Sequence, residues 1–331
     1  MKKMMRCSLA VCMTVLLLSA CATKTAQEPT APDLPDDLDA YLKQTEARFT
    51  DLRPNNEKLI VWADPSKKAK TPLSIIYLHG FSACRLEVAP LCDIVAHDLG
   101  ANLFYTRLSG HGRPGEALAE VTMADWQRDA YEALAIGQRL GKRVIIVATS
   151  TGGALATWLV SSAGSKDIQA MVLISPNFGL RNKSAFIMTW PLARYYVPLL
   201  AGKTRTIEPC SPVWSVCWPC SYPMISMIPV MQIVKEAWHA PVEKITAPVL
   251  VFYSPNDKIV EPARIEALIK RFGSTQKRIV QVKHSGDPDN HVNAGQMMSP
   301  ENTEPFARMI VDFIRMIIPS YKAIKENKNG L

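Results

Sequence analysis

Four almost wholly apolar runs of strand length, Leu73–Leu78, Val144–Val147, Met171–Ile174 and Val249–Phe252, recur along the chain with helix-length segments between them. A strand that is apolar on both faces must be covered on both, which an isolated hairpin or a half-solvated sheet cannot do. Weaker runs of the same kind span Leu59–Ala63, Asn102–Tyr105 and Ile279–Val282. Between them, Trp126–Leu140 carries Trp126, Ala130, Ala133, Leu134 and Ile136 at helical spacing, and Gly141 ends that pattern. Gly153–Val160, Ala263–Phe272 and Pro305–Ile317 read as further helices. The expected class is α/β, a doubly wound and mainly parallel sheet. From about residue 177 to 240 the alternation stops, and a Trp-, Tyr- and Pro-rich stretch intervenes that is too long for an ordinary connection. It is expected to form a helical cap, with a long ordered loop as the alternative, inserted between two core strands.

The run Val144–Val147 leads into Ala148-Thr149-Ser150-Thr151-Gly152-Gly153 and then a helix. A sharp strand-to-helix turn lifts a serine out of the sheet, where a base can reach its hydroxyl. Serine is a poor nucleophile until a base removes its proton. Small residues two before and two after it, Ala148 and Gly152, let strand and helix approach closely. A Ser/Thr-rich helix cap is the plainer account of the same residues.

Tyr77-Leu78-His79-Gly80-Phe81 ends another strand run. Together these two turns resemble the α/β-hydrolase superfamily. Arg107-Leu108-Ser109-Gly110-His111-Gly112 is similar to a turn of its monoacylglycerol-lipase-like and serine-aminopeptidase-like branches. The usual serine turn has Gly where this chain has Ala148, a difference of one methyl group. The resemblance covers about residues 58 to 318 apart from the cap. It implies that the backbone N–H groups of Phe81 and Thr151 form an oxyanion hole. It also implies that His79 is structural and His111 a loop residue.

An acid and then a base are expected after the serine. Asp257 follows the Val249–Phe252 strand within Tyr253-Ser254-Pro255-Asn256-Asp257, at the strand end where ligands gather in such sheets. A carboxylate there can orient a histidine, although Asn-Asp also makes ordinary turns. Two histidines lie further on. His284 closes a strand, whereas His291 lies in a loop able to reach over the sheet edge and precedes the last helix, so His291 is the expected base. Asp287 and Asp289 beside it read as solvated loop charges.

The ends read differently. Lys2, Lys3 and Arg6 precede an apolar run, Leu9–Leu18, that is short for a bilayer span. With Leu18-Ser19-Ala20-Cys21 it resembles a bacterial lipoprotein signal, implying a signal peptide over 1–20 and lipid on Cys21; an ordinary secretory signal is the alternative. Residues 21–45 are expected to be a lipidated cysteine and flexible tether, 46–320 the hydrolase domain, and 321–331 a frayed tail. The anchor implies the cell envelope, and Ala22 fits the periplasmic face of an outer membrane in a Gram-negative cell. Net charge is +8 without a basic block interleaved with aromatics, which argues against nucleic-acid binding. After Cys21 the cysteines are five, Cys84, Cys92, Cys210, Cys217 and Cys220, so at least one is unpaired or pairs with another chain. The last three could hold a disulfide that staples a loop; a zinc site with His239 matches no standard spacing.

The resemblance implies a serine hydrolase without metal or organic cofactor, and the Trp-, Tyr- and Met-rich insertion points to carboxylic esters, lipid-like or short-chain. Ser150 would be nucleophile, His291 base and Asp257 its orienting acid. A serine exopeptidase on the same fold and a non-catalytic envelope lipoprotein are the rival readings.

Overall fold

The computed structural model describes residues 31–318 apart from Pro209. The signal expected over 1–20, Cys21, the first part of the tether and the tail 321–331 lie outside the described residues.

Seven strands form the main sheet: β1 (Leu59–Val61), β2 (Thr71–Leu78), β3 (Asn102–Tyr105), β4 (Gly141–Thr149), β5 (Ile168–Ile174), β8 (Val249–Tyr253) and β9 (Lys277–Gln281). Their spatial order is β1-β3-β2-β4-β5-β8-β9, all parallel except β1. The β2–β3 connection runs one way from β2, and the later strands stack the other way from β4. The order therefore reverses between β2 and β4, and the crevice at their C-terminal ends is where ligands bind in open α/β sheets.

The period of two along β4 divides the core. Val144, Ile146 and Ala148 join one buried cluster, under α3 (Met123–Leu140) and α4 (Thr151–Ala163). Ile145 and Val147 join the other, under α2 (Leu91–Leu99) and α9 (Pro300–Ile317). All five are fully buried, each contributing about 1.5–3 kcal/mol if Val or Ile. The helical stripe read from Trp126 to Ile136 is buried throughout.

Most strand and helix ends shift by one to three residues, helix α8 for instance spanning Pro262–Arg271, and two differences are larger. The last helix starts at Pro300 rather than Pro305. Pro300 occupies the first turn, where no N–H is needed, and the helix tolerates Pro305 inside it. At the other end, Leu38–Glu46 forms helix α1 within the stretch assigned to a tether. Leu38 and Leu42 bury against the first core cluster, Tyr41 Oη donates to Glu132 Oε1 at 2.7 Å, and Asp37 caps the helix by accepting from Ala40 N–H. The folded body thus begins before residue 46.

The insertion is more than helical. It holds a 3-10 turn (Lys183–Thr189), α5 (Ala193–Ala201), the antiparallel ribbon β6 (Thr204–Thr206) with β7 (Ser221–Pro223), the single turn α6 (Pro212–Ser215), and α7 (Met227–His239) against α4. Cys210 and Cys220 are disulfide-bonded across the loop that joins the two ribbon strands. His239 is exposed at the end of α7, and among the described residues no cluster of three His, Cys, Asp or Glu could hold a metal.

Candidate active site

Ser150 joins β4 to α4 with φ +50° and ψ −118°, a conformation that costs a non-glycine residue about 1–3 kcal/mol. The surrounding packing enforces it. A Cβ on Gly152 would stand 2.1 Å from the Leu78 carbonyl oxygen and 2.6 Å from that of His79, so only glycine lets α4 start so near the end of β2. Ser150 N–H donates to Ile174 O, and its own carbonyl accepts from Asn177 N–H.

Ser150, Asp257 and His291, far apart in sequence, meet in one hydrogen-bonded line. Ser150 Oγ lies 2.9 Å from His291 Nε2, and His291 Nδ1 lies 2.8 Å from Asp257 Oδ2. With the carboxylate accepting from Nδ1–H, Nε2 is left to accept from the serine hydroxyl. Asp257 is fully buried, and its Oδ1 accepts from Ile259 and Val260 N–H, which fixes its rotation. Burial alone pushes the His291 pKa down; the Asp257 carboxylate, with Asp287 and Glu87 behind it, outweighs burial and holds it above the ordinary value.

The His291 backbone is gripped from both sides. Asp287 Oδ2 accepts its N–H, and Ser175 Oγ donates to its carbonyl at 2.7 Å. Asp287 is therefore not a solvated charge. It is 5% exposed because its carboxylate is turned inward onto the N–H groups of Asp289, His291 and Val292. Asp289 is exposed, as expected. His284 is exposed beyond the end of β9, with its carbonyl bonded to Asn302.

Phe81 and Thr151 both line the cavity beside Ser150. The turn carrying Phe81 is pinned from below by Glu87, which sequence reading missed. Glu87 Oε1 accepts from Gly80 N–H and from Tyr77 Oη, both at 2.6 Å. Burial drives the Glu87 pKa up to about 7. Gly80 also approaches the serine so closely that a Cβ there would be 3.3 Å from Ser150 Cβ.

His79 and His111 are buried props. His79 Nε2 accepts from Leu108 N–H, and its Nδ1–H donates to Gly80 O. His111 Nε2 accepts from Ser82 N–H, and its Nδ1–H donates to Ser109 O. Burial lowers both pKa values, that of His79 to about 4, so both rings are neutral links between loops at pH 7.

The cavity above Ser150 and His291 has a volume of about 550 Å³. Its far wall comes from the insertion: Ile207, Trp214, Trp218, Tyr222, Met227 and Val230. Tyr222 also meets the Phe81 ring edge-on at 5.1 Å between centroids. Not every insertion aromatic faces inward, since Trp190 and Tyr195 are 54% and 73% exposed.

Comparison with known proteins agrees with this architecture. The chain is 22% identical over 223 residues to a thermostable monoacylglycerol lipase of Bacillus sp. (strain H-257), covering 67% of this chain and 86% of that protein. A solved structure reported with two metagenome-derived lipolytic enzymes superposes with a TM-score of 0.65 at 18% identity, over 80% of this chain and 99% of the other. The monoacylglycerol lipase of Paleococcus ferrophilus gives 0.56 at 15% identity, over 78% and 98%. The family model of the alpha/beta hydrolases matches residues 75–307, and the chain belongs to the alpha/beta hydrolase family.

Proposed function

We propose that the protein hydrolyses carboxylic esters of single acyl chains, with Ser150 as nucleophile. Support comes above all from the continuous line Ser150–His291–Asp257 opening onto an apolar-walled cavity. The likeness to a monoacylglycerol lipase favours the same reading.

Ser150 Oγ attacks the ester carbonyl while His291 Nε2 takes its proton. Asp257 stabilises the imidazolium and keeps the ring in place. The N–H groups of Phe81 and Thr151 donate to the oxyanion, a charge that exists only in the tetrahedral state; losing one such donor typically costs about a hundredfold or more in rate. His291 then gives its proton to the leaving alcohol. Water, activated by the same imidazole, releases the acid from the acyl-enzyme. The insertion wall of Ile207, Met227 and Val230 accommodates the acyl chain by burying it.

A panel of monoacylglycerols, short-chain esters and aminoacyl amides, combined with a fluorophosphonate label, tests this. Ser150→Ala should abolish labelling and lower kcat by about 10⁴-fold or more, and His291→Ala should do the same while His284→Ala stays near wild type. Equal labelling of Ser150→Ala, or turnover of aminoacyl amides alone, overturns the proposal. We further propose attachment to the cell envelope through a lipid on Cys21. Incorporation of labelled palmitate that survives Cys21→Ser would refute it.

A further inference from the structure

We propose that Cys84 and Cys217 are a disulfide pair that fastens the insertion to the loop carrying Phe81. Neither cysteine takes part in the hydrolytic chemistry above, and this inference is independent of it. The two sulfur atoms are 2.8 Å apart. Nonbonded carbon atoms already rest at about 3.5–4.0 Å, and sulfur is larger. The thiols are closer than ordinary packing and within a small displacement of the ~2.05 Å bond. Both are buried, at 1% and 0% exposure, in a small pocket of their own with Ala83, Leu86, Trp218 and Met297.

The surroundings hold the pair in register. Cys84 N–H donates to Cys217 Sγ at 3.2 Å. Arg53 donates to the carbonyls of Ser215 and Cys217, and Asn56 to that of Val216, so three successive residues of the insertion are tied to the body. Cys84 follows Phe81 by three residues, and Cys217 lies between Trp214 and Trp218 on the cavity wall. A covalent bond would thus fix the distance between the Phe81 turn and the insertion wall.

Formation of the bond removes one hydrogen from each thiol and joins the sulfurs. The two electrons and two protons reduce the disulfide of an exchange partner, such as glutathione disulfide, to two thiols. Burial raises the Cys217 pKa and disfavours the attacking thiolate, so exchange proceeds while this segment is displaced or still closing.

The test takes the full chain, reduces and unfolds it in urea, and refolds it in a glutathione redox buffer. Free thiols are then alkylated under denaturing conditions and the digest is mapped by mass spectrometry. The expected result is a linked peptide joining Cys84 to Cys217, lighter by two hydrogens than its parts, with Cys92 alkylated. Recovery of Cys84 and Cys217 as alkylated thiols, or Cys217 joined to Cys210 or Cys220, overturns the proposal. Unfolding midpoints give a second readout that a failure of one variant to fold does not spoil. Cys84→Ser and Cys217→Ser should each lower the oxidised protein's midpoint by about 5 °C or more, and the double variant by no more than either alone. Additive losses would mean two independently packed thiols and would overturn it too.

Discussion

Asp287 Oδ2 accepts the backbone N–H of His291 at 2.9 Å and that of Val292 at 2.7 Å, so the loop that delivers the imidazole is wound around a buried carboxylate. Removing it leaves three N–H groups, those of Asp289, His291 and Val292, without a charged acceptor, and hydrogen bonds to charged groups are worth about 1.5–3 kcal/mol each. Asp287→Ala should therefore lower stability by a few kcal/mol in urea unfolding. It should also displace His291 from Ser150; a shift near 1 Å can cost about a hundredfold in rate. Asp287→Asn keeps one acceptor oxygen and should recover part of both losses. An Asp287→Ala enzyme with wild-type kcat would show that Ser175 alone holds the loop.

Glu87 gives the site a second dependence on pH. As pH falls through the raised pKa of His291, the base becomes protonated and the rate drops, with a midpoint above the ordinary histidine value. An ionised Glu87 adds to that rise. Glu87→Gln keeps an acceptor for Gly80 and Tyr77 but loses the charge, so the acidic limb of kcat/KM should move to lower pH. Stability shifts in the opposite arm. The folded Glu87 carboxyl holds its proton up to about pH 7, above the unfolded value of 4.5. Its contribution is fully present below pH 4.5 and lost as pH rises through 7. Urea midpoints should therefore fall between pH 5 and 8 more in wild type than in Glu87→Gln.

What was legible followed from local chemistry. β4 and β5 announced themselves because residues apolar on both faces have no other stable place. Ser150 and Asp257 could be nominated from their positions at strand ends, and His291 from its place in a loop before the last helix. Glu87 and Asp287 could not. Glu87 gains its role only when its carboxyl meets the end of β2, and Asp287 lies in Ser285-Gly286-Asp287-Pro288-Asp289-Asn290, a composition indistinguishable from an exposed turn. Helix α1 was hidden for a related reason. Its nine residues bury little beyond Leu38, Leu42 and Glu46, so its stability comes from partners more than a dozen residues away.

One of those partners is Arg107. Its Nε and Nη2 donate to the two carboxylate oxygens of Glu46 at 2.7 and 2.8 Å, with both side chains less than a tenth exposed. Arg107 Nη1 also donates to the His111 carbonyl, which links α1 to the loop that supports Ser82. Breaking a buried pair by removing one partner typically costs about 3–5 kcal/mol, because the other charge is left uncompensated. Glu46→Ala should show a loss of that size in chemical denaturation, and Arg107→Ala a similar one. The double variant should lose less than the sum of the two. Deleting residues 1–46 should destabilise the fold as much as Glu46→Ala or more.

The two small residues flanking Ser150 are predicted to behave unequally. At Gly152 an added methyl group meets two backbone carbonyl oxygens, those of Leu78 and His79, neither of which can rotate away. Gly152→Ala must push α4 from β2, separating Ser150 and Thr151 on one element from Phe81 on the other. Overpacking of this kind costs about 1–3 kcal/mol, and the accompanying shift should lower kcat by about a hundredfold. At position 148 the family's usual glycine is already replaced by Ala148, whose methyl is buried without strain in the first core cluster. Ala148→Gly should leave kcat within about threefold of wild type and cost about 1 kcal/mol in stability, from the lost methyl contact and a looser unfolded chain. If the two variants proved equally damaging, the close approach of α4 to β2 would not be what shapes the turn at Ser150.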